Sequence, residues 1–132
     1  MRIIITEWGL DSYLDLLGRA VFSRADYWST LRPDVKKLLQ YPTLADLANG
    51  GFWGPAQSTR GIVPDGYKMK WHNLGPGRVQ LRACVAILGD IAYVCQAFVK
   101  SSPALDLIQG AKLRSRIELL KHGRANLRGE LR

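Results

Sequence analysis

Two neighbouring stretches of the chain alternate polar and apolar side chains. The polar members are Lys68, Lys70 and His72 in the first stretch and Arg78, Gln80 and Arg82 in the second. Because successive side chains of a β-strand point to opposite faces, each stretch predicts a half-buried strand with one polar face. Lysine and arginine bind phosphate, and an imidazole beside them can transfer a proton. The pattern therefore predicts a phosphate cradle on one face of a sheet.

A third strand continues this sheet after a two-residue turn at 89–90. Such a turn fixes the register of a hairpin, so Ala86 is predicted to pair with Tyr93 and Cys84 with Cys95. Tyr93 would then join the polar face as a second group able to transfer a proton. The cysteines are predicted to be a reduced, half-buried pair, and a redox switch is the alternative.

Lys100 follows the third strand. Strict alternation directs it to the apolar face, so a bulge or the strand end is needed to bring it to the polar face. The apolar face is predicted to pack against helices and comprises Tyr67, Met69, Trp71, Val79, Leu81, Val85, Val94 and Phe98. An antiparallel sheet also needs a solvated face, so simple solvation is the alternative to a phosphate cradle.

The remaining segments predict an α+β fold around this sheet. Residues 1–48 indicate a strand and two helices, because a β-branched run precedes apolar stripes with helical spacing. Residues 49–66 are rich in glycine and proline, which predicts a long loop. The later segments are predicted to be an antiparallel three-stranded meander over 67–99, a helix over 103–120 and a basic tail over 121–132. A chain of 132 residues is expected to form one domain.

Charge is unevenly distributed along the chain. The net charge is +8, and residues 67–132 carry twelve basic side chains against four acidic ones. A basic half is typical of a small protein that binds a polyanion such as nucleic acid, although solubility alone also explains it. The sequence has no apolar stretch of about 18 residues that could span a bilayer and no signal-peptide pattern at its start. We therefore expect a cytoplasmic protein that does not enter a membrane.

The chain offers no pattern for a metal ion or a cofactor. His72 and His122 are its only histidines and lie far apart, and neither cysteine has a zinc-binding spacing. The sequence also lacks a recognisable serine triad and paired carboxylates. We expect any catalysis to work without a metal ion or cofactor.

The order of strand, helices, loop and meander resembles the RelE/ParE superfamily of toxins from bacterial type II toxin-antitoxin modules. The matching pieces are Tyr67-Lys68-Met69-Lys70, Gly77-Arg78-Val79, Leu81-Arg82 and Gln96-Ala97-Phe98-Val99-Lys100, followed by a helix with Ala111 and Arg114. The Ala-Phe-Val-Lys ending is similar to that of the HigB branch. The resemblance covers residues 67–116 well and the N-terminal half only in layout.

This resemblance implies an endonuclease that cleaves mRNA on the ribosome, with a cognate antitoxin protein as its partner. In such enzymes the ribose 2′-hydroxyl attacks the adjacent phosphate without a metal ion. On the matching positions, Lys68 and Lys70 would hold or activate the scissile nucleotide. Arg78 or Arg82 would stabilise the phosphorane, and Lys100 stands where the family often has a basic residue.

One departure from the family leaves the proton donor open. RelE-type nucleases often carry a Tyr or His in the final helix, and residues 105–120 contain neither. In this chain His72 or Tyr93 would take the place of that proton-transfer group. Further RNA-binding positions are predicted at Gln80, Lys112, Arg114 and Arg116. Two other functions stay open: a toxin of this fold with another target such as DNA gyrase, and a non-enzymatic module that binds RNA or protein.

Overall fold

A single mixed sheet runs through the computed structural model, which describes residues 1–132. Its strands are β1 (Arg2–Thr6), β2 (Trp53–Ser58), β3 (Gly61–Leu74), β4 (Val79–Leu88), β5 (Ile91–Val99) and β6 (Leu127–Leu131). They lie in the order β2-β3-β4-β5-β1-β6. The β1–β5 pair is parallel, and all other neighbours are antiparallel.

Three helical segments cover the sheet. They are α1 (Glu7–Gly18), a composite segment, and α4 (Pro103–Lys121). The composite segment consists of α2 (Arg24–Asp26), a π-helical turn (Tyr27–Leu31), α3 (Arg32–Lys36) and a 3-10 turn (Lys37–Gln40), and a further 3-10 turn spans Ala45–Ala48. The predicted α+β class and single small domain are thus confirmed, whereas the sheet is larger than a three-stranded meander. None of the helices has the length and apolar character needed to cross a bilayer.

The helix starts follow from local capping chemistry. Ser102 precedes α4, and its hydroxyl accepts a hydrogen bond from the Leu105 amide, as the Ser-Pro pair predicts. Ser23 and Asp26 form a reciprocal capping box at the start of α2. These caps satisfy amides that have no partner within the helix.

Apolar side chains form a core on each face of the sheet. Leu81, Ala83 and Val85 of β4 belong to the larger cluster, which also contains residues of α1 and the composite segment. The alternate residues Cys84 and Ala86 pack instead with residues of α4 in the smaller cluster. Because both faces of β4 are covered, the predicted polar face is a solvated surface only over part of its length.

The predicted loop over 49–66 is wrong for most of its length. Trp53–Ser58 is β2, and β3 begins at Gly61. Glycine and proline are the usual signals of a loop, but Pro55 lies in an edge strand, where the missing amide is tolerated. Gly61 has a φ of 96° in the turn between the two strands. Pairing with β3 therefore overrides the local signal.

The predicted basic tail over 121–132 is also wrong in part. Residues Leu127–Leu131 form β6, which pairs with β1 and covers its outer edge. An ion pair between Arg2 and Glu130, with 2.7 Å between nitrogen and oxygen, joins the two strands. The strand depends on a partner more than 120 residues earlier in the chain, so its charged sequence carries no local sign of it.

The β4–β5 hairpin contains a bulge that changes the predicted register. Ala86 pairs with Tyr93 as predicted, but Cys84 pairs with Gln96, so the predicted Cys84–Cys95 pair is wrong. Cys95 is the extra residue of the bulge. Beyond it, the faces of β5 are exchanged, so that Phe98 lies opposite Arg82 on the α4 face rather than on the predicted apolar face.

Thr6, which caps α1, and Ser12, in the middle of that helix, hold the chain on both sides of this bulge. The Thr6 hydroxyl donates to the Val94 carbonyl at 2.8 Å. The Ala97 amide donates to the Ser12 hydroxyl at 2.9 Å. β1 pairs with β5 only as far as Val94, and α1 takes over the edge beyond it. The bulge therefore depends on contacts between segments about 85 residues apart in sequence.

Gly110 lets α4 lie close against β2. A β-carbon at this position would stand 1.8 Å from the Gln57 carbonyl oxygen and 3.2 Å from the Ser58 amide nitrogen. The helix runs through Gly110 without a break. The residue therefore serves the packing of helix on strand and does not divide the helix.

Candidate functional site

Four cations and one carboxylate meet at one end of the α4 face of the sheet. We call them the cationic cluster: Lys68, Lys70, Arg82, Lys100 and Asp106. The strand register places Lys70 directly opposite Arg82 and Lys68 two residues away on the same face. The bulge in β5 turns Lys100 to this face, and its amide donates to the Gln80 carbonyl at 2.7 Å. Strict alternation directed Lys100 to the apolar face unless a bulge intervened, and this bulge brings it to the polar face.

Asp106, in the first turn of α4, binds two of these cations. Its Oδ2 lies 2.9 Å from Lys100 Nζ and 3.5 Å from Lys68 Nζ. Its Oδ1 is buried and has no hydrogen-bond partner. The carboxylate belongs to an element that the sequence places near the sheet, but its contact with the two lysines could not be predicted from spacing.

Arg82 is the buried cation of the cluster, with 6% of its surface exposed. Its Nη1 donates to the Leu81 carbonyl at 3.0 Å and to the Trp71 carbonyl at 3.4 Å, while Nε has no partner. Burial lowers the pKa of the guanidinium, and Asp106 acts in the opposite direction. A buried guanidinium with a free donor provides a fixed positive charge for an anion.

The Lys70 amine loses its proton more readily than an ordinary lysine. Burial lowers its pKa, and so do the positive charges of Lys68, Arg82 and Lys100, while Asp106 raises it. Its Nζ donates to the Gly50 carbonyl at 2.9 Å. A lysine with a lowered pKa can act as a general base, which an ordinary lysine at neutral pH cannot do.

His72 lies beside the cluster, and the glycine-rich segment before β2 contacts it. Its Nε2 lies 2.7 Å from the Gly51 carbonyl oxygen, which can only accept, so Nε2 carries the proton. With Nε2 as the donor, Nδ1 is an acceptor, so the Gln80 amide must be turned to present its NH2 group in place of the Oε1 that lies 2.7 Å from Nδ1. Both ring nitrogens are thus occupied. Gly50 and Gly51, which sequence reasoning did not place in the site, fix Lys70 and His72 through their carbonyls.

Two predicted site residues lie apart from the cluster. Arg78 is exposed in the β3–β4 turn with a φ of 50°, since β4 begins only at Val79. The predicted strand alternation is therefore wrong for Arg78. Tyr93 lies on the same face as Arg82 but is paired with Ala86, about 13 Å further along the strands by the usual rise per residue. It packs under α4.

The predicted RNA-binding residues of α4 have mixed surroundings. Arg114 donates to the Ser58 hydroxyl and to the Ile62 carbonyl at 3.2 and 3.3 Å. Arg116 donates to the Gln96 side chain at 3.0 Å, and its guanidinium lies 4.9 Å from the Trp8 ring centre. Both arginines tie α4 to the rest of the fold, whereas Lys112 is exposed.

The chemistry available at the site is charge stabilisation and proton transfer. The structure assembles no group of three or more His, Cys, Asp or Glu side chains of the kind that holds a metal ion. Cys84 and Cys95 are buried, and burial raises the pKa of each thiol to about 12, which disfavours the reactive thiolate. The cluster instead combines fixed cations with an amine of lowered pKa.

Comparison with protein-family models, with curated proteins and with solved structures finds no match to this chain.

Proposed function

We propose that this chain is a toxin of the RelE/ParE type, nearest the HigB branch, that cleaves mRNA on the ribosome. The observation that carries the proposal is the convergence of Lys68, Lys70, Arg82 and Lys100 on one end of the sheet with a single carboxylate between them. These four cations stand at four of the five cationic positions that the family resemblance marks, and the fifth, Arg78, lies outside the cluster. A surplus of positive charge on a partly buried surface favours a bound polyanion.

The proposed reaction needs a base, a charge stabiliser and an acid. Lys70 in its neutral form takes the proton of the ribose 2′-hydroxyl as the O2′–P bond forms. Arg82, with Lys68 and Lys100, stabilises the negative charge of the phosphorane. The P–O5′ bond then breaks, and the departing 5′ oxygen takes a proton, which leaves a 2′,3′-cyclic phosphate and a 5′-hydroxyl. His72 is the nearest candidate for the proton donor, once it is released from Gly51.

The surrounding fold supports the same proposal. A strand and helices precede three neighbouring antiparallel strands and a closing helix, which is the order that the resemblance implies. β2 and β6 are additions to that layout. A cognate antitoxin and mRNA as the substrate belong to the proposal and rest on the family resemblance alone. A cytoplasmic location also belongs to it and rests on the sequence pattern.

A second candidate function is an RNA-binding module that cleaves nothing. It is favoured by the state of the two possible proton donors. Both nitrogens of His72 are hydrogen bonded, and Tyr93 is remote from Arg82. Without a donor for the departing oxygen, the same cations would still bind RNA.

Controlled expression of three chains distinguishes these functions: the wild type, Lys70→Ala and the control Lys36→Ala, whose lysine lies in α3 outside the cluster. RNA 5′ ends are mapped during translation while growth is followed. We expect growth arrest and cleavage within translated messages for the wild type and Lys36→Ala, and neither for Lys70→Ala. Growth arrest with intact messages would contradict the nuclease and favour another target. Folded wild-type protein that neither arrests growth nor cuts RNA would favour the binding module.

A further inference from the structure

Asp106 is the only carboxylate in contact with the cations of the cluster. It lies in the first turn of α4, is 9% exposed, and bridges Lys100 and Lys68 at 2.9 and 3.5 Å. The Lys68 and Lys100 side chains are themselves largely removed from solvent, with 14% and 32% of their side-chain surface exposed. Without the carboxylate, each would gain hydration by turning outward.

Stability does not explain this arrangement. A buried ion pair contributes little to folding unless all of its polar atoms are satisfied. Here Asp106 Oδ1 and Arg82 Nε are both buried without a partner. Unsatisfied buried polar groups cost free energy, so the arrangement suits a function of the cluster better than it suits stability.

We propose that Asp106 is a positioning residue: its carboxylate holds the ammonium groups of Lys68 and Lys100 inward on the sheet face, where they surround Lys70. The geometry of this contact comes from the structure, whereas the catalytic use of the cluster rests on the proposed function. Asp106 acts through the lysines and need not touch the substrate.

The charges around Lys70 give this geometry a measurable consequence. Lys68 on its own strand, Arg82 on β4 and Lys100 after β5 each lower its pKa, and Asp106 on α4 raises it. If Asp106 holds the two lysines in place, then removal of the carboxylate lets them turn to solvent. Lys70 then loses the repulsion of both lysines, which outweighs the lost attraction of Asp106, and its pKa rises towards the ordinary lysine value. If Asp106 acted only as a charge, its removal would lower the Lys70 pKa further.

The test is an NMR titration of the Lys70 amine in the full chain with isotope-labelled lysine. The Lys70 signal is assigned by its disappearance in Lys70→Arg. We expect Asp106→Asn to move the titration of Lys70 to higher pH than in the wild type. An unchanged or lower titration in the folded variant would overturn the proposal.

A second variant, Asp106→Glu, covers the case in which Asp106→Asn does not fold. It keeps the charge but moves the carboxylate by one methylene group. Positioning predicts an upward shift for Lys70 here too, whereas an unchanged titration would show that charge alone matters and would overturn the proposal. No RNA is present in the titration, so its result stands apart from any failure of the nuclease function. If the nuclease is active, the acid limb of its pH profile should move to higher pH in Asp106→Asn.

Discussion

Substitution of Gly110 by alanine should destabilise the protein strongly, although alanine is the better helix former. The new β-carbon would stand 1.8 Å from the Gln57 carbonyl oxygen and 2.5 Å from the carbonyl carbon. Both contacts are to backbone, which cannot move aside as a flexible side chain can. α4 and β2 must therefore separate by about 1.5 Å to reach ordinary contact distances.

This separation loosens the core that α4 forms with the sheet, including Leu113 and Ile117, which are at most 2% exposed. We expect a loss of about 3 kcal/mol in the free energy of unfolding, at the upper end for overpacking. For a chain of this length, that loss corresponds to a fall of roughly 10 °C in Tm. Thermal unfolding followed by circular dichroism measures it directly.

Gly18→Ala in α1 is the matched control for this substitution. No heavy atom lies within 4 Å of a β-carbon at Gly18, so alanine should leave stability unchanged or raise it by up to about 1 kcal/mol. Equal Tm values for the two variants would refute the close packing of α4 on β2.

Three further outcomes are expected. Lys68→Ala should reduce the slope of log affinity against log salt by about 0.7 for a single-stranded oligoribonucleotide, as measured by fluorescence anisotropy, and an unchanged slope would place Lys68 outside the phosphate contacts. Cys84 and Cys95 should be alkylated by iodoacetamide only after unfolding, because burial raises their pKa to about 12, and rapid labelling of the native protein would contradict their burial. Arg2 lowers the pKa of Glu130, so this pair stabilises β6 above the ordinary carboxyl pKa and loses that effect as the pH falls through the lowered pKa. The protection factors of the β6 amides, which correct hydrogen exchange for its intrinsic pH dependence, should therefore fall on acidification in the wild type but not in Glu130→Gln.

The parts of the fold that depend on nearby residues could be predicted from the sequence. Alternation predicted the strands that carry Lys68, Lys70 and Arg82, and the Ser102-Pro103 pair predicted the start of α4. Each of these signals lies within a few residues of the structure that it forms.

The parts that depend on distant partners could not be predicted. β6 exists because β1 offers it an edge, and the bulge at Cys95 is held by the side chains of Thr6 and Ser12. The bulge then decides the face of Lys100, which alternation alone assigned to the opposite side. Asp106 was missed for the same reason, since its pairing with Lys68 joins α4 to a strand 38 residues earlier.

The most direct test of the proposed nuclease is the chemistry of the cut itself. A message is translated in a reconstituted system with the purified protein, the cleavage site is mapped, and the ends of the fragments are analysed. Attack by the 2′-hydroxyl predicts a 2′,3′-cyclic phosphate and a 5′-hydroxyl, and a single 2′-deoxy nucleotide at the mapped site should abolish the cut. Cleavage of the deoxy-substituted message at the same site, or fragments with a 5′-phosphate, would contradict the account.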